Sequence, residues 1–144
     1  MKTTAHSPLP DYAALLLRVS LGVMYVMHAW LKYAVFTPVG TVAFFEKIGF
    51  MGWMAYPVML AEVVGGVLLI AGVQVRWVAL ILIPILGGAA YTHWVNGWVF
   101  NAPGGGWEYP VFLIVASLVL ALLGNGTFAF TPAVAASPVN RQAA

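Results

Sequence analysis

The chain has 144 residues, of which 62% are hydrophobic and only 7% are charged. A typical soluble domain is about 45–50% hydrophobic and about 25% charged, so the composition excludes a soluble globular protein and predicts a membrane protein. The net charge of +2 comes without a basic patch, which argues against a nucleic-acid partner, and the absence of cysteine excludes disulfides, thiolate chemistry and iron–sulfur ligation.

Four apolar stretches make up most of the chain; they cover residues 12–33, 56–73, 77–95 and 109–123. Crossing the bilayer core takes about 20 residues in a helix, and the first three stretches reach or approach that length. The fourth does so only with its flanking residues in the headgroup layers. We predict an all-α membrane protein, a four-transmembrane-helix bundle formed by one domain.

The two ends of the chain are predicted to lie outside this bundle. Residues 1–11 form a polar N-terminal segment, and residues 12–130 form the transmembrane domain. The first apolar stretch is too long for the core of a signal peptide and does not end in small residues, so we expect it to be retained. Residues 131–144 are small and polar with two prolines, which predicts a disordered tail.

The connection between the first and second spans is predicted to hold a short interfacial helix. Residues 42–48 are apolar apart from one Glu-Lys step, as in a helix that lies along the membrane surface. Pro38 and Gly40 would begin it and Gly49 would end it. The connection at residues 96–106 contains a proline and three consecutive glycines, which predicts a flexible turn.

Four spans place both termini on one side of the membrane. Arg76 lies in the very short connection between the second and third spans, where a basic residue indicates the cytoplasmic side. We therefore expect cytoplasmic termini, with the ends of the first and third spans facing outward.

Ionisable residues lie within or at the ends of the apolar stretches: Arg18, His28, Lys32, Glu62, His93 and Glu108. A charge in hydrocarbon is costly unless it is paired or hydrated, so each is a candidate functional residue. The first span carries a polar and small-residue stripe on one helix face, at the spacing of a 3.6-residue period. Its members are Arg18, Gly22, Tyr25, Ala29 and Lys32.

Arg18 and Glu62 form the candidate ion pair. Glu62 shares a helix face with Gly65 and Gly66, which allow another backbone to approach the carboxylate. By residue count Arg18 lies in the inner half of the membrane and Glu62 in the outer half, so a direct bond requires tilt or extended side chains. Such a pair can be purely structural, can prepare a carboxylate for proton transfer, or can do both.

The candidate polar site is larger and lies at the outer ends of the spans; its members are His28, Lys32, Glu62, His93 and Glu108. Such a set can exchange protons, bind the polar head of a quinone or, without the lysine, hold a divalent metal. No two candidate ligands have an i, i+4 spacing, so we predict no metal. Pro84 is expected to kink the third span, either as a packed kink or as one that opens a cavity below His93.

Several motifs together resemble a known family. They are Leu-Leu-Arg-Val-Ser-Leu-Gly at residues 16–22 with His28 and Lys32, Ala-Glu-Val-Val-Gly-Gly at 61–66 with Gly72, then Arg76, His93, and Gly-Gly-Trp-Glu-Tyr-Pro at 105–110. With these the chain resembles the DoxX family of four-helix bacterial membrane proteins over residues 13–130. After Gly-Asn-Gly at 124–126 it has Thr-Phe-Ala-Phe, where many members have a tyrosine, a serine and an acidic residue.

The resemblance implies a multi-pass protein of the bacterial cytoplasmic (inner) membrane in a redox context, since some relatives are subunits of a thiosulfate:quinone oxidoreductase and others belong to oxidative-stress systems. Our leading hypothesis is a redox-associated subunit whose outward-facing polar site engages a quinone or relays protons, with electrons supplied by a soluble or membrane redox protein. One alternative is a non-enzymatic scaffold that anchors a soluble redox enzyme. Another is a small transporter, which four helices form only as a homo-oligomer. Whether the protein is an enzyme stays open.

Overall fold

The computed structural model describes residues 7–130, which form five α-helices and no strand. In chain order the helices are α1 (Leu9–Trp30), α2 (Pro38–Lys47), α3 (Ala55–Ala71), α4 (Val75–His93) and α5 (Glu108–Leu123). Short segments extend three of them: the π-helix Leu31–Val35 after α1 and the 3-10 turns Gly52–Met54 before α3 and Trp94–Asn96 after α4. The predicted all-α class is confirmed.

Three of these helical segments are long and apolar enough to cross a membrane: Leu9–Val35, Gly52–Ala71 and Val75–Asn96. They correspond to the first three predicted spans. α5 is apolar but has only 16 residues. The fourth span therefore stays a prediction that depends on the residues flanking α5.

The ends of the predicted domain differ from the observed helices in one respect. α1 begins at Leu9, so the last part of the predicted polar segment, residues 1–11, is already helical. The predicted disordered tail, residues 131–144, lies outside the described residues.

α1, α3, α4 and α5 form a bundle in which α1 packs most closely on α3 and α4 on α5. Glycines make the first contact possible. A Cβ on Gly22 would lie 2.6 Å from the carbonyl oxygen of Gly66, and a Cβ on Gly66 would lie 2.7 Å from that of Gly22. The two backbones therefore touch, as small residues allow between membrane helices.

Apolar side chains occupy both the interior and the outer surface of the bundle. Leu69, Leu82 and Leu120 are at most 2% exposed in the core, whereas Ile81 and Leu122 are 69% and 81% exposed on its outside. A helix that is apolar on every side is typical of a membrane span, because lipid replaces the polar face that water would require. The outer surface of this bundle suits a bilayer.

The helix predicted between the first two spans is present as α2. It begins at Pro38, whose missing N–H is no loss at a helix start, and the Thr37 hydroxyl accepts a hydrogen bond from Gly40 N at 3.2 Å. After its last turn Gly49 takes a positive φ of 87°, a conformation that glycine adopts easily. α2 packs against the beginning of α3, at the end of the bundle opposite the start of α1 and the end of α5.

Candidate functional site

A cavity of about 410 Å³ lies where α1 and α4 end and α3 and α5 begin. Its volume falls in the range of about 300–1,000 Å³ that small-molecule sites occupy. α2 and the residues after it cover one side with Phe44, Phe45, Ile48 and Phe50. Among the mostly apolar lining are six ionisable side chains: Tyr25, His28, Lys32, Glu62, His93 and Tyr109.

The cavity wall contains an ion pair between Lys32 and Glu62. Lys32 Nζ donates to Glu62 Oε1 at 2.5 Å, and the two side chains are 20% and 4% exposed. Within residues 7–130 no other ion pair occurs. Because a lone buried charge is strongly destabilising, each of these groups makes the other tolerable at this depth.

Glu62 is therefore paired with Lys32 and not with Arg18, which corrects the ion pair predicted from the sequence. Arg18 is 1% exposed near the other end of the bundle. The physical reason is helix direction. α1 and α3 are antiparallel, so Arg18 in the first half of α1 faces the end of α3, whereas Lys32 just beyond α1 faces the first half of α3.

Arg18 instead binds backbone carbonyl groups. Its guanidinium donates to Leu69 O at 3.1 Å and to Ile70 O, both in the last turn of α3, and to Thr127 O and Phe128 O at 3.0 Å each. The last carbonyls of a helix have no partner within it and carry partial negative charge. Arg18 satisfies them and ties the segment after α5 to the bundle.

The turn that holds Lys32 is a π-helix, Leu31–Val35. A π-helical turn accommodates an extra residue and is found frequently at functional sites. Thr41 Oγ1 in α2 lies 3.0 Å from Lys32 O and 2.9 Å from Thr37 O, so α2 is attached to this turn directly. The apolar periodicity of the sequence gave no signal for the change in helix type.

Two histidines line the cavity, and their hydrogen bonds determine which ring nitrogen carries the proton. His28 Nδ1 donates to Met24 O at 2.8 Å, and His93 Nδ1 donates to Gly104 O at 2.9 Å. A carbonyl can only accept, so in each neutral ring Nδ1 carries the proton and Nε2 keeps a free lone pair. The His28 ring also stacks on Tyr109, with centroids 6.2 Å apart. Each imidazole is therefore prepared to accept a proton or a hydrogen bond at Nε2.

Glu108, the fifth residue of the predicted polar site, does not line this cavity. Its Oε2 accepts from Phe100 N at 3.3 Å, and it borders a second cavity of about 440 Å³ with Trp98 and Phe112. Consecutive residues of a helix point about 100° apart. Tyr109 lines the first cavity, and Glu108 therefore points away from it. The structure thus brings together His28, Lys32, Glu62 and His93 and leaves Glu108 outside.

Pro84 in α4 borders the cavity that His93 also lines, and a kink that opens this space stays a prediction. A Cβ on Gly87 or Gly88 would meet no atom within 4 Å, so these glycines do not mark a tight helix contact. Tyr109 and the aromatic residues of α2 were not predicted as site residues. The sequence predicted the helices that carry them, but it did not show which face of each helix points toward the site.

No group of three or more His, Cys, Asp or Glu residues within the described range is placed to hold a metal ion. The arrangement is that of a helical membrane protein with a largely apolar cavity that carries a few acid–base groups. Such a site suits an apolar ligand with one or two polar atoms.

Comparison with known proteins agrees with this class. The DoxX family model matches residues 13–94, which is more than half of the chain and includes most of α1 and all of α2, α3 and α4. CatD of Bacillus subtilis (strain 168), which is named provisionally as an oxidoreductase, is 33% identical over 125 residues, covering 86% of this chain and 88% of that protein. The chain belongs to the DoxX family. No solved structure matches it.

Proposed function

We propose that the protein is a redox-associated membrane subunit that binds a quinone or its quinol in the cavity beneath α2. The observation that carries this proposal is the Lys32–Glu62 pair in the wall of an apolar cavity that two histidines also line. A quinone headgroup is a flat apolar ring with two carbonyl acceptors, and its quinol has two hydroxyl donors. The cavity offers phenylalanine side chains for the ring and both donors and acceptors for the oxygens.

The acid–base groups suit the interconversion of these two forms. Lys32 can donate to a quinone carbonyl, while Nε2 of His28 or His93 can accept a proton from a quinol hydroxyl. Oxidation of a quinol releases two protons and two electrons. We propose that the side chains take the protons and that a soluble or membrane redox protein takes the electrons, because a chain without cysteine has no thiol or iron–sulfur carrier of its own.

The same proposal includes the placement of residues 12–130 as one four-span domain of the bacterial cytoplasmic membrane. α5 would form the fourth span with Trp107 in one headgroup layer and residues 124–130 in the other. Trp107 packs against Trp94 and Trp98 with ring centroids 4.7 and 4.4 Å apart, an aromatic group of the kind found at membrane surfaces. With cytoplasmic termini the cavity opens toward the outer face.

Membership in the DoxX family and the oxidoreductase name given to CatD support a redox role for this chain. The competing proposal is a scaffold that anchors a soluble redox enzyme. A scaffold needs the ion pair for stability but has no use for a cavity that binds a small molecule.

The test is titration calorimetry, which measures the binding of a short-chain quinone to the protein in lipid nanodiscs. We expect the double variant Lys32→Met/Glu62→Gln, which removes both charges and leaves no lone buried ion, to bind at least about tenfold more weakly, equivalent to about 1.4 kcal/mol. The matched control is Lys47→Met/Glu46→Gln, because this Lys and Glu are exposed on α2 outside the cavity.

Equal weakening in both double variants, or no saturable binding to the wild type, would contradict a quinone site. In the second case, capture of a stoichiometric protein partner from solubilised membranes would favour the scaffold. Melting temperatures of all variants separate loss of binding from loss of folded protein.

A further inference from the structure

Four buried polar atoms have no hydrogen-bond partner in the part of the chain that the structure describes: Arg18 Nε, Tyr25 Oη, Glu62 Oε2 and Ser117 Oγ. The four residues are between 1% and 3% exposed. Leaving such a group unpaired is destabilising, and nearly all buried polar groups in native proteins are bonded to protein or to ordered water. Four in one small bundle require a common explanation.

Three of these atoms belong to neighbouring side chains, those of Glu62, Tyr25 and Ser117. Glu62 uses Oε1 for Lys32 at the cavity wall, which leaves Oε2 for the core. Tyr25 has Glu62 and Ser117 as its polar neighbours, and the two hydroxyl groups lie close together without reaching hydrogen-bond geometry. Arg18 lies seven residues before Tyr25 on the same face of α1, about 10 Å further along the helix axis.

We propose that Glu62, Tyr25 and Ser117 form a water-linked proton path that starts at the cavity and stops at Arg18. Water molecules bridging these side chains would satisfy the unpaired atoms. The Glu62 carboxylate first takes up a proton at Oε2 from the cavity, and its ion pair with Lys32 then becomes a hydrogen bond. The carboxylate forms again when this O–H bond breaks and a new O–H bond forms on the adjacent water. Each hydroxyl along the path accepts one proton and passes on its own, so neither Tyr25 nor Ser117 ionises and no electron moves.

Arg18 gives the path an end. A guanidinium stays protonated at any physiological pH, and this one is held by four carbonyl oxygens with no carboxylate partner between residues 7 and 130. Its positive charge opposes the approach of an excess proton in a medium of low dielectric constant. Protons can therefore reach the interior from the cavity but do not cross to the end of the bundle where α1 begins and α3 ends.

Proton flux into liposomes containing the purified protein tests the path, with a pH-sensitive dye inside and a potassium–valinomycin potential. The assay uses no quinone, so its failure is distinguishable from failure of the proposed ligand. We expect wild type to match protein-free liposomes, because Arg18 blocks passage. Arg18→Gln should raise the flux at least about tenfold, and adding Tyr25→Phe should abolish most of that rise.

Tyr91→Phe in the Arg18→Gln background is the matched control, since Tyr91 is 71% exposed and also loses only a hydroxyl. A folded Arg18→Gln protein with wild-type flux would overturn the proposal, as would a flux that Tyr25→Phe leaves unchanged. A leaking wild type would show that Arg18 is not the end of the path.

If Arg18→Gln does not fold, water-edited solid-state NMR on the wild type in bilayers decides the matter without a variant. Magnetisation should pass from water to Tyr25 and Ser117 and not to Leu69 and Leu82, which are equally buried. Dry signals for Tyr25 and Ser117 would refute a water-linked path.

Discussion

At the residue scale, the ionisable side chains of this bundle separate into two groups with different partners. Glu62 and Lys32 neutralise each other beside the cavity, while backbone carbonyls bind Arg18 near the other end of the bundle. A single buried charge left without its partner costs about 3–5 kcal/mol, whereas removal of a whole pair is often nearly neutral. The two groups should therefore respond to substitution independently.

A double-mutant cycle measures this division. We expect Lys32→Met and Glu62→Gln each to lower the free energy of unfolding in detergent by about 3 kcal/mol, and the double variant to cost clearly less than their sum. Arg18→Gln combined with Glu62→Gln should be additive within about 0.5 kcal/mol. Coupling of Glu62 to Arg18 rather than to Lys32 would contradict the observed pairing.

Arg18 itself makes a more specific prediction. Arg18→Lys keeps the charge but replaces a planar fork of donors with one ammonium, which cannot serve the carbonyls of α3 and of residues 127–128 together. We expect a loss of about 1–3 kcal/mol in unfolding free energy. Faster proteolysis after residue 123 should accompany it, since the segment would be held less firmly. If Arg18→Lys is as stable as wild type and its residues after 123 resist proteolysis equally well, Arg18 does not hold this segment to α3.

At the element scale, the helices were predictable and their contacts were less so. Apolar length located the spans, and the Pro38 and Gly49 signals located α2, because these depend on residues close in sequence. The residue count had placed Arg18 in the inner half of the membrane and Lys32 and Glu62 in the outer half. The Lys32–Glu62 pair was missed because tilt or extended side chains were expected to bring Arg18 to Glu62. Glu108 was misplaced because adjacent residues at a helix start point in directions about 100° apart. The sequence did not show which of Glu108 and Tyr109 would point toward the cavity.

Glycine substitutions test the contact between α1 and α3. Gly22→Ala should be strongly destabilising, because the new Cβ would lie 2.6 Å from Gly66 O, a backbone atom that cannot move aside. Gly87→Ala in α4 should be neutral or stabilising by up to about 1 kcal/mol, since its Cβ enters open space and alanine favours helix. The measurement is thermal unfolding of both variants in one detergent. Similar losses at both positions would mean that the backbones of α1 and α3 do not touch as described.

At the scale of the whole molecule, orientation decides which compartment the cavity serves. The turn between α3 and α4 contains Gln74 and is followed at once by Arg76, and it lies at the same end of the bundle as the start of α1. The cavity and its cover, α2, lie at the opposite end. Arg76 is the second residue of α4, beside this short connection, and a basic residue there indicates the cytoplasmic side, so we expect the cavity to face outward.

The absence of cysteine makes this orientation directly measurable, because every introduced thiol is unique. Single cysteines at Ala5, Asn101 and Ala143 can be labelled in intact cells with a membrane-impermeant maleimide. We expect label at position 101, in the connection between α4 and α5, and at positions 5 and 143 only after the membrane is opened. Labelling of position 143 but not position 5 in intact cells would mean that α5 does not cross and that the protein has three spans. Labelling of both termini and not of position 101 would invert the molecule and turn the cavity toward the cytoplasm.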